Sequence, residues 1–190
     1  MAGKLRITGG NLRGRLIDVP IAADAGLLRP TPDRVRAAIF SSLGASVKDA
    51  HVLDVFAGSG VQAFETLSRD AADATLIEIN PESAAQIKKN AASLKLSCDV
   101  IVGDAFKEVG RLRKTFDLVF VDPPYRIALT TEFWTSLANL LSQDAIVVFR
   151  CEKLEDFERP SGFEVVRERE YGGTAVFFLR RTHEAGDLPR

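Results

Sequence analysis

Val52-Leu53-Asp54-Val55-Phe56-Ala57-Gly58-Ser59-Gly60 is the most informative segment of the chain. Four of its first five residues are apolar and three are β-branched or aromatic, which is typical of a strand covered on both faces. The glycines that follow have no Cβ, so the backbone can turn sharply there and approach a ligand closely. Residues 61–69 then have helical composition. A strand, a glycine turn and a helix in this order open a nucleotide-type binding site in an open α/β sheet.

The glycine turn alone leaves the ligand open. Gly58 to Ala63 fits the loose pattern G-x-G-x-x-A, which also occurs in tight turns that bind nothing. Glu78 stands twenty residues after Gly58, near the end of a predicted strand at 74–79, where a carboxylate can accept both hydrogen bonds of a ribose diol. Asp104, after the next predicted strand, can reach an adenine amino group or simply cap a helix. NAD and S-adenosylmethionine both fit these features.

Length and composition indicate one globular domain. The chain has 190 residues, of which 46% are hydrophobic and 27% charged, and its net charge is −1. These values exclude a disordered chain and are ordinary for a single α/β domain. No apolar run reaches the roughly 18 residues of a membrane span, and no signal-peptide pattern is present. Cys98 and Cys151 are the only cysteines, so we expect a cytoplasmic protein without disulfides, metal or membrane contact.

Strands and helices alternate through the middle of the chain. Predicted strands cover 52–56, 74–79, 98–102, 117–121 and 145–150, and predicted helices cover 61–69, 81–94, 105–113 and 131–141. Two further strands, 163–170 and 174–180, form a hairpin around Tyr171-Gly172-Gly173. This order predicts an α/β fold with a mostly parallel sheet, helices on both faces and one antiparallel strand at the end.

The N-terminal 36 residues are basic. They carry seven basic and three acidic side chains, whereas the rest of the chain carries 18 and 23. Residues 4–19 predict a β-hairpin around Gly9-Gly10-Asn11 with exposed arginines. Thr31 followed by Pro32 predicts a helix with Thr31 as its N-cap. A basic end on a mildly acidic body favours a nucleic-acid partner, although solvated surface charge gives the same pattern.

Asp122-Pro123-Pro124-Tyr125 follows the predicted strand 117–121 and is the most specific chemical signal in the chain. Ligands of open α/β sheets bind at the carboxyl ends of the strands, so this tetrapeptide shares an edge with Gly58 and Glu78. Its two prolines stiffen the loop. The alternative interpretation is a Pro-Pro turn with an aspartate cap and a core tyrosine.

A stiff loop of this composition suits an exocyclic amine on a planar base. The Asp122 carboxylate and the Pro123 carbonyl can accept its two N–H groups, and Tyr125 can stack on the ring. Such an amine is a poor nucleophile because its lone pair is delocalised into the base. Two acceptors would orient it and stabilise the positive charge that develops as it attacks an activated methyl group. The base must leave its stack to enter such a pocket.

These motifs resemble those of the class I S-adenosylmethionine-dependent amino-methyltransferases. The segments Arg6–Arg15 and Arg29–Arg36 resemble in particular the RsmD family, which methylates the N2 amine of one guanine in small-subunit (16S) ribosomal RNA. The resemblance extends from about Arg6 to Thr174, which is nearly the whole chain. It implies a Rossmann-like sheet of seven strands with the last strand antiparallel, preceded by the N-terminal hairpin.

The resemblance also implies roles for individual residues. Contacts to S-adenosylmethionine, whose product is S-adenosylhomocysteine, would come from Asp54, Phe56, Ala57, Gly58, Ser59, Gly60, Glu78, Ile79, Asp104 and Ala105. The target amine would meet Asp122, Pro123, Pro124 and Tyr125. Ribosomal RNA would meet Arg6, Arg13, Arg15, Arg29, Arg34 and Arg36. Gln62 and Asn80 depart from the family pattern, and Gln62 would put a polar group near the cofactor.

The implied partner is the small ribosomal subunit or an assembly intermediate. We expect a monomer with an RNA-binding extension at 1–36, a methyltransferase domain at 37–182 and a tail at 183–190. Two alternatives remain. An amino-methyltransferase acting on adenine N6 in DNA or RNA, or on a protein glutamine, would use the same proline loop. An NAD-dependent oxidoreductase would use Gly58 and Glu78, but no catalytic proton donor for hydride chemistry stands out.

Overall fold

Alternating strands and helices make up the described part of the chain, which comprises residues 3–19, 32–124, 127–151, 157–171 and 173–182 of a computed structural model. The strands are β1 (Lys4–Arg6), β2 (Leu16–Asp18), β3 (His51–Asp54), β4 (Asp73–Glu78), β5 (Asp99–Val102), β6 (Phe116–Val121), β7 (Leu141–Cys151), β8 (Phe163–Tyr171) and β9 (Thr174–Arg181). The helices are α1 (Asp33–Leu43), α2 (Val61–Leu67), α3 (Pro81–Leu94), α4 (Ala105–Arg111) and α5 (Thr131–Ala138), with a 3-10 turn at Gly44–Val47 after α1.

A seven-stranded sheet has the order β5-β4-β3-β6-β7-β9-β8. The first five of these strands run parallel, and β9 is antiparallel to both of its neighbours. This confirms the predicted mostly parallel sheet with its last strand antiparallel. The chain winds outward from β3 in one direction to β5 and then crosses to β6 on the other side. The carboxyl ends of β3 and β6 therefore flank the crevice where open α/β sheets bind ligands.

Two apolar clusters cover the two faces of the sheet. The central strands alternate between them: Val52 of β3 packs in one cluster and Leu53 in the other. The first cluster contains residues of α1, α2 and α3, and the second contains residues of α4 and α5. Because both faces are covered, the inner strands are apolar almost throughout, and this is why the sequence alone predicted their positions.

The N-terminal hairpin packs against the domain instead of extending into solvent. β1 and β2 pair antiparallel over three residues each, which confirms a hairpin but with shorter strands than the predicted span. Ile7 and Ile17 are 0% and 1% exposed and belong to the first apolar cluster. A two-stranded hairpin is marginal alone in water, so this burial supplies much of its stability.

The start of α1 differs from the prediction. Pro32 is extended, with φ −53° and ψ 144°, and is itself the N-cap, so the first helical residue is Asp33. An extended ψ is incompatible with the first helical position that we assigned to Pro32. Thr31, the predicted cap, lies outside the described residues. The predicted bounds of α3 are confirmed, and its N-cap is Asn80, whose Oδ1 accepts the N–H groups of Glu82 and Ser83 at 2.8 and 3.0 Å.

Candidate active site

A cavity of about 290 Å³ opens at the carboxyl ends of β3, β4, β5 and β6. Eight of the residues that the sequence assigned to the site line it. They are Phe56, Gly58, Glu78, Ile79, Asp104, Ala105, Asp122 and Pro124. Five others, Asp54, Ala57, Ser59, Gly60 and Pro123, are not among the residues lining it. Tyr125 lies outside the described residues.

The glycine turn fixes the acidic residue at the end of β4. Gly58 and Gly60 have φ of 54° and 75°, in the left-handed region that favours glycine. In this turn the Gly58 N–H donates to Glu78 Oε2 at 2.7 Å, while the Asn80 N–H donates to Glu78 Oε1 at 2.8 Å. The Ile79 N–H also donates to Glu78, and because a carboxylate has four lone pairs, Glu78 can still accept a hydrogen bond from a hydroxyl in the cavity.

Asp54 is a buried carboxylate behind the cavity. Its side chain is at the end of β3, the residue is 1% exposed, and its Oδ2 has no hydrogen-bond partner among the described residues. Its pKa is raised to about 8: burial is the largest cause, the charges of Asp122 and Glu78 contribute to the rise, and a backbone hydrogen bond with Ala63 opposes it. The three acidic side chains therefore interact electrostatically, and the buried Asp54 is largely protonated at neutral pH unless a nearby positive charge favours its ionised form.

The Asp122 carboxylate at the cavity is paired with the guanidinium of Arg150. The Nε of Arg150 donates to Asp122 Oδ1 at 2.7 Å, and Nη2 of the same guanidinium pairs with Oδ2. Burial raises the pKa of Asp122, and the Arg150 charge and hydrogen bonds oppose that rise. Sequence reasoning missed Arg150 because only the pairing of β6 with β7, with Val121 opposite Phe149, brings residues 122 and 150 together.

Asp104 is the N-cap of α4, one of the two roles that the sequence left open, and its contact with an adenine stays a prediction. Its Oδ1 accepts the N–H of Phe106 at 2.9 Å and so caps α4, and the residue also lines the cavity. Ile79 at the rim is 68% exposed, which is high for a large aliphatic side chain. Gln62 is buried in α2 and is not among the residues lining the cavity, and its Oε1 has no partner in the described ranges.

The arginines assigned to RNA separate into two groups. Arg6, Arg13, Arg15 and Arg34 are exposed. Arg29 is outside the described residues. Arg36 is 0% exposed, and its Nη2 donates to the carbonyl of Arg6 and to Asp33 Oδ1 at 2.5 and 2.9 Å. This burial corrects the assignment of Arg36 as an RNA contact, because a phosphate cannot reach it.

A buried glutamate holds the hairpin to α2. Glu65 Oε1 accepts the N–H of Thr8 at 2.7 Å and Oε2 accepts its hydroxyl at 3.0 Å. Arg36 Nε lies 3.4 Å from Glu65 Oε1, and Arg69 also pairs with Glu65. Sequence analysis did not single out Glu65, since a glutamate in a helix normally faces solvent. The paired charges tie the basic hairpin to α2, the helix that begins at the glycine turn.

Two negative observations concern the described part of the chain. None of its helices has the length and apolar character needed to cross a membrane. Within the same residues, no three His, Cys, Asp or Glu side chains are grouped so that they could hold a metal ion.

Comparison with known proteins identifies the family. The family described as Conserved hypothetical protein 95 matches residues 5–180. Ribosomal RNA small subunit methyltransferase D of Escherichia coli K12 is 37% identical over 95% of this chain and 91% of its own length. The protein of that name from Haemophilus influenzae Rd is 34% identical over 90% of both chains. The solved structure of the Escherichia coli protein yhhF superposes with a TM-score of 0.83 at 37% identity, covering 94% of this chain and 98% of the other.

These similarities extend over the hairpin, the glycine turn and the proline loop alike, and they agree with the resemblance seen in the sequence. The chain belongs to the ribosomal RNA small subunit methyltransferase D (RsmD) family.

Proposed function

We propose that this protein transfers a methyl group from S-adenosylmethionine to the exocyclic N2 amine of a guanine in small-subunit ribosomal RNA. The observation that carries the proposal is the convergence of the glycine turn, Glu78 and the Asp122–Pro124 loop on one cavity at the switch point of the sheet. The names of the relatives, which are ribosomal RNA small subunit methyltransferases, support the substrate.

The charges at the cavity fit S-adenosylmethionine better than NAD. Asp54, Glu78 and Asp122 are acidic, and Asp54 Oδ2 has no partner among the described residues. The sulfonium and ammonium cations of S-adenosylmethionine would favour the ionised forms of Asp54 and Glu78, whereas the pyrophosphate of NAD would disfavour them. We assign the ribose hydroxyls to Glu78 and the adenine amino group to Asp104. When bound, the cofactor supplies an activated methyl group.

The proline loop orients the acceptor amine. Asp122 and the Pro123 carbonyl accept the two N–H groups of the guanine N2 amine and hold its nitrogen toward the methyl group. That nitrogen would gain positive charge as it took the methyl group from the cofactor's sulfur, which would leave as S-adenosylhomocysteine, and the Asp122 carboxylate would stabilise the charge until the proton passed to water. Because the acceptor amine must reach a cavity beside the cofactor, the guanine enters flipped out of its stack.

The exposed arginines of the basic N-terminus bind the phosphates of the RNA. Arg6, Arg13 and Arg15 are exposed on the hairpin and Arg34 is exposed on α1. Phosphate contacts of this kind position a nucleic acid without reading its sequence. A small subunit or an assembly intermediate would present the target guanine in a fixed relation to these phosphates, so we expect the substrate to be a structured RNA and not a free nucleoside.

The test is transfer of labelled methyl from S-adenosylmethionine to small ribosomal subunits, with naked small-subunit RNA and duplex DNA in parallel. Nucleoside analysis of the product follows, and the Asp122→Ala protein gives the background. We expect N2-methylguanosine from the ribosomal substrate only. If the product were methyladenosine, or if the label appeared in DNA, the acceptor would be adenine N6 and not the guanine amine. Label in ribosomal protein would overturn the nucleic-acid substrate altogether.

A further inference from the structure

Arg150 is a basic residue that is paired with Asp122 at the edge of the cavity. It lies near the end of β7, whose partner β6 ends just before Asp122, and the parallel register places Val121 opposite Phe149. The next residues on the two strands, Asp122 and Arg150, therefore emerge side by side at the edge of the sheet where the cavity opens. A cation here is unexpected beside a cavity that we assign to a cationic cofactor.

The contact between the two side chains is a planar fork. Nε of Arg150 donates to Asp122 Oδ1 at 2.7 Å, and Nη2 pairs with Oδ2. Two parallel hydrogen bonds of this kind fix the plane of a carboxylate as well as its position. Both side chains are largely withdrawn from water, at 11% exposed for Arg150 and 24% for Asp122. The pair is thus neither a solvated surface ion pair nor a fully buried one.

The charges around Asp122 explain why it needs a cation. The negative charge of Asp122, together with that of Glu78, raises the pKa of Asp54 at the end of β3. Among the described residues, Arg150 is the group that opposes the effect of burial on the Asp122 pKa. Without Arg150, burial would favour a protonated Asp122, which carries an O–H donor where the amine needs an acceptor.

We infer that Arg150 is a positioning residue that keeps the Asp122 carboxylate ionised and fixes its plane so that it can accept an N–H of the target amine. The fork occupies one lone pair on each oxygen, and the second lone pair of an oxygen remains for the substrate. Arg150 itself need not touch the base. The chemical purpose of this inference rests on the proposed function, but the state of the Asp122 carboxylate can be measured without any substrate.

The first experiment measures that state directly. Carboxyl-carbon NMR titration of the full chain follows Asp122, whose signal is identified by its loss in Asp122→Asn. We expect Arg150→Gln to raise the Asp122 pKa by about one unit or more, in the range that a neighbouring opposite charge produces. Arg150→Lys keeps a cation and should shift the pKa by less. Arg113→Gln is the matched control, because Arg113 is an exposed arginine that donates only to nearby backbone carbonyls in the described chain.

The second experiment separates charge from orientation in the reaction. In Arg150→Gln the acidic limb of the kcat profile should move to higher pH by the same shift seen in the titration. In Arg150→Lys the limb should stay near that of the parent, while kcat falls by on the order of tenfold because the planar fork is lost. S-adenosylmethionine affinity should match that of Arg113→Gln in all variants, and each variant should keep a single cooperative unfolding transition even where the melting temperature falls, which excludes a failure to fold.

Two results would overturn the inference. An Asp122 pKa unchanged in Arg150→Gln would show that Arg150 does not control the carboxylate. A raised KM for RNA with an unchanged pH profile would make Arg150 a phosphate contact instead. A parent protein that methylates no RNA would refute the proposed function alone, since the titration still decides whether Arg150 sets the state of Asp122.

Discussion

Replacement of Gly10 by alanine should detach the loop of the N-terminal hairpin from the domain. Gly10 has φ +74°, and a Cβ added there would lie 1.8 Å from the backbone oxygen of Ser68 at the end of α2. Backbone cannot move aside as a flexible side chain can, so the loop between β1 and β2 must lift. Gly14 in the same loop is the matched control: its φ is +86°, but no described atom lies within 4 Å of an added Cβ.

The expected cost follows from the contacts that the lifted loop would lose. The Asn11 N–H donates to Ser68 O at 2.6 Å, the Leu12 N–H donates to Ser68 Oγ at 2.9 Å, and that hydroxyl donates to Gly9 O at 2.7 Å. Each contributes about 1 kcal/mol net. A left-handed alanine costs a further 1–2 kcal/mol or so in either variant. Gly14→Ala should therefore destabilise the protein by about 1–2 kcal/mol, and Gly10→Ala by about 3 kcal/mol more.

Denaturant unfolding of the two variants beside the parent protein measures this difference. A gap of about 3 kcal/mol corresponds to roughly 6–12 °C in melting temperature for a chain of this size. Gly10→Ala should also weaken RNA binding, because the arginines lose their fixed position, while S-adenosylmethionine affinity should remain that of Gly14→Ala. If the two variants unfold within about 0.5 kcal/mol of each other, the contacts with Ser68 do not hold the hairpin and the reasoning fails.

Three further predictions concern the site. Asp122→Ala should remove most turnover and leave cofactor affinity nearly unchanged; equal losses of both in calorimetry and methyl-transfer assays would contradict its role. The pKa of Asp54 is raised to about 8, so a cationic cofactor that favours the charged form should release a proton on binding. S-adenosylmethionine affinity should then rise with pH up to about 8, and more steeply in the parent protein than in Asp54→Asn. Calorimetry in buffers of different ionisation heat measures the released proton, and equal pH dependence in the two proteins would refute the role of Asp54. Arg13→Gln with Arg15→Gln should reduce the slope of log affinity for RNA against log salt by about 1–2; an unchanged slope would move the RNA contact elsewhere.

The sheet was predictable because its inner strands are buried on both faces, and their apolar runs need no knowledge of the rest of the fold. The first and last residues of the strands and helices were predicted less accurately. β7 begins at Leu141, four residues before the prediction, because Phe116 pairs with Leu141 across an irregularity in the β6–β7 register. Ser142, Gln143 and Asp144 are polar, and their composition is typical of a loop. The residues on either side of them, Leu141 and Ile146, pair with β6 and so include them in the strand, and no local pattern contains that information.

The charged interior was not predictable for a related reason. Every residue of α2 from Val61 to Thr66 is buried, including Glu65, because the hairpin and α1 cover the face that would otherwise meet water. A one-sided apolar pattern is the signal for a helix on a sheet, and a helix covered on all sides has none. Arg36 and Glu65 each resemble a surface residue in sequence. The ion pair between them becomes visible only when the hairpin, α1 and α2 are placed together.

The anchoring of the hairpin limits how this enzyme family can be redesigned. Exchanging residues 1–19 for another RNA-recognition segment would leave Glu65 without Thr8, Ser68 without the loop, and the core without Ile7 and Ile17. A graft confined to the hairpin would thus uncover a charged and apolar surface inside the methyltransferase domain. The smallest segment that could be exchanged with these contacts intact contains the hairpin, α1 and α2. Because α2 starts at the glycine turn, this segment also includes part of the cavity edge. In the proposed function, the RNA-contacting arginines and the cofactor-binding turn would consequently be exchanged together.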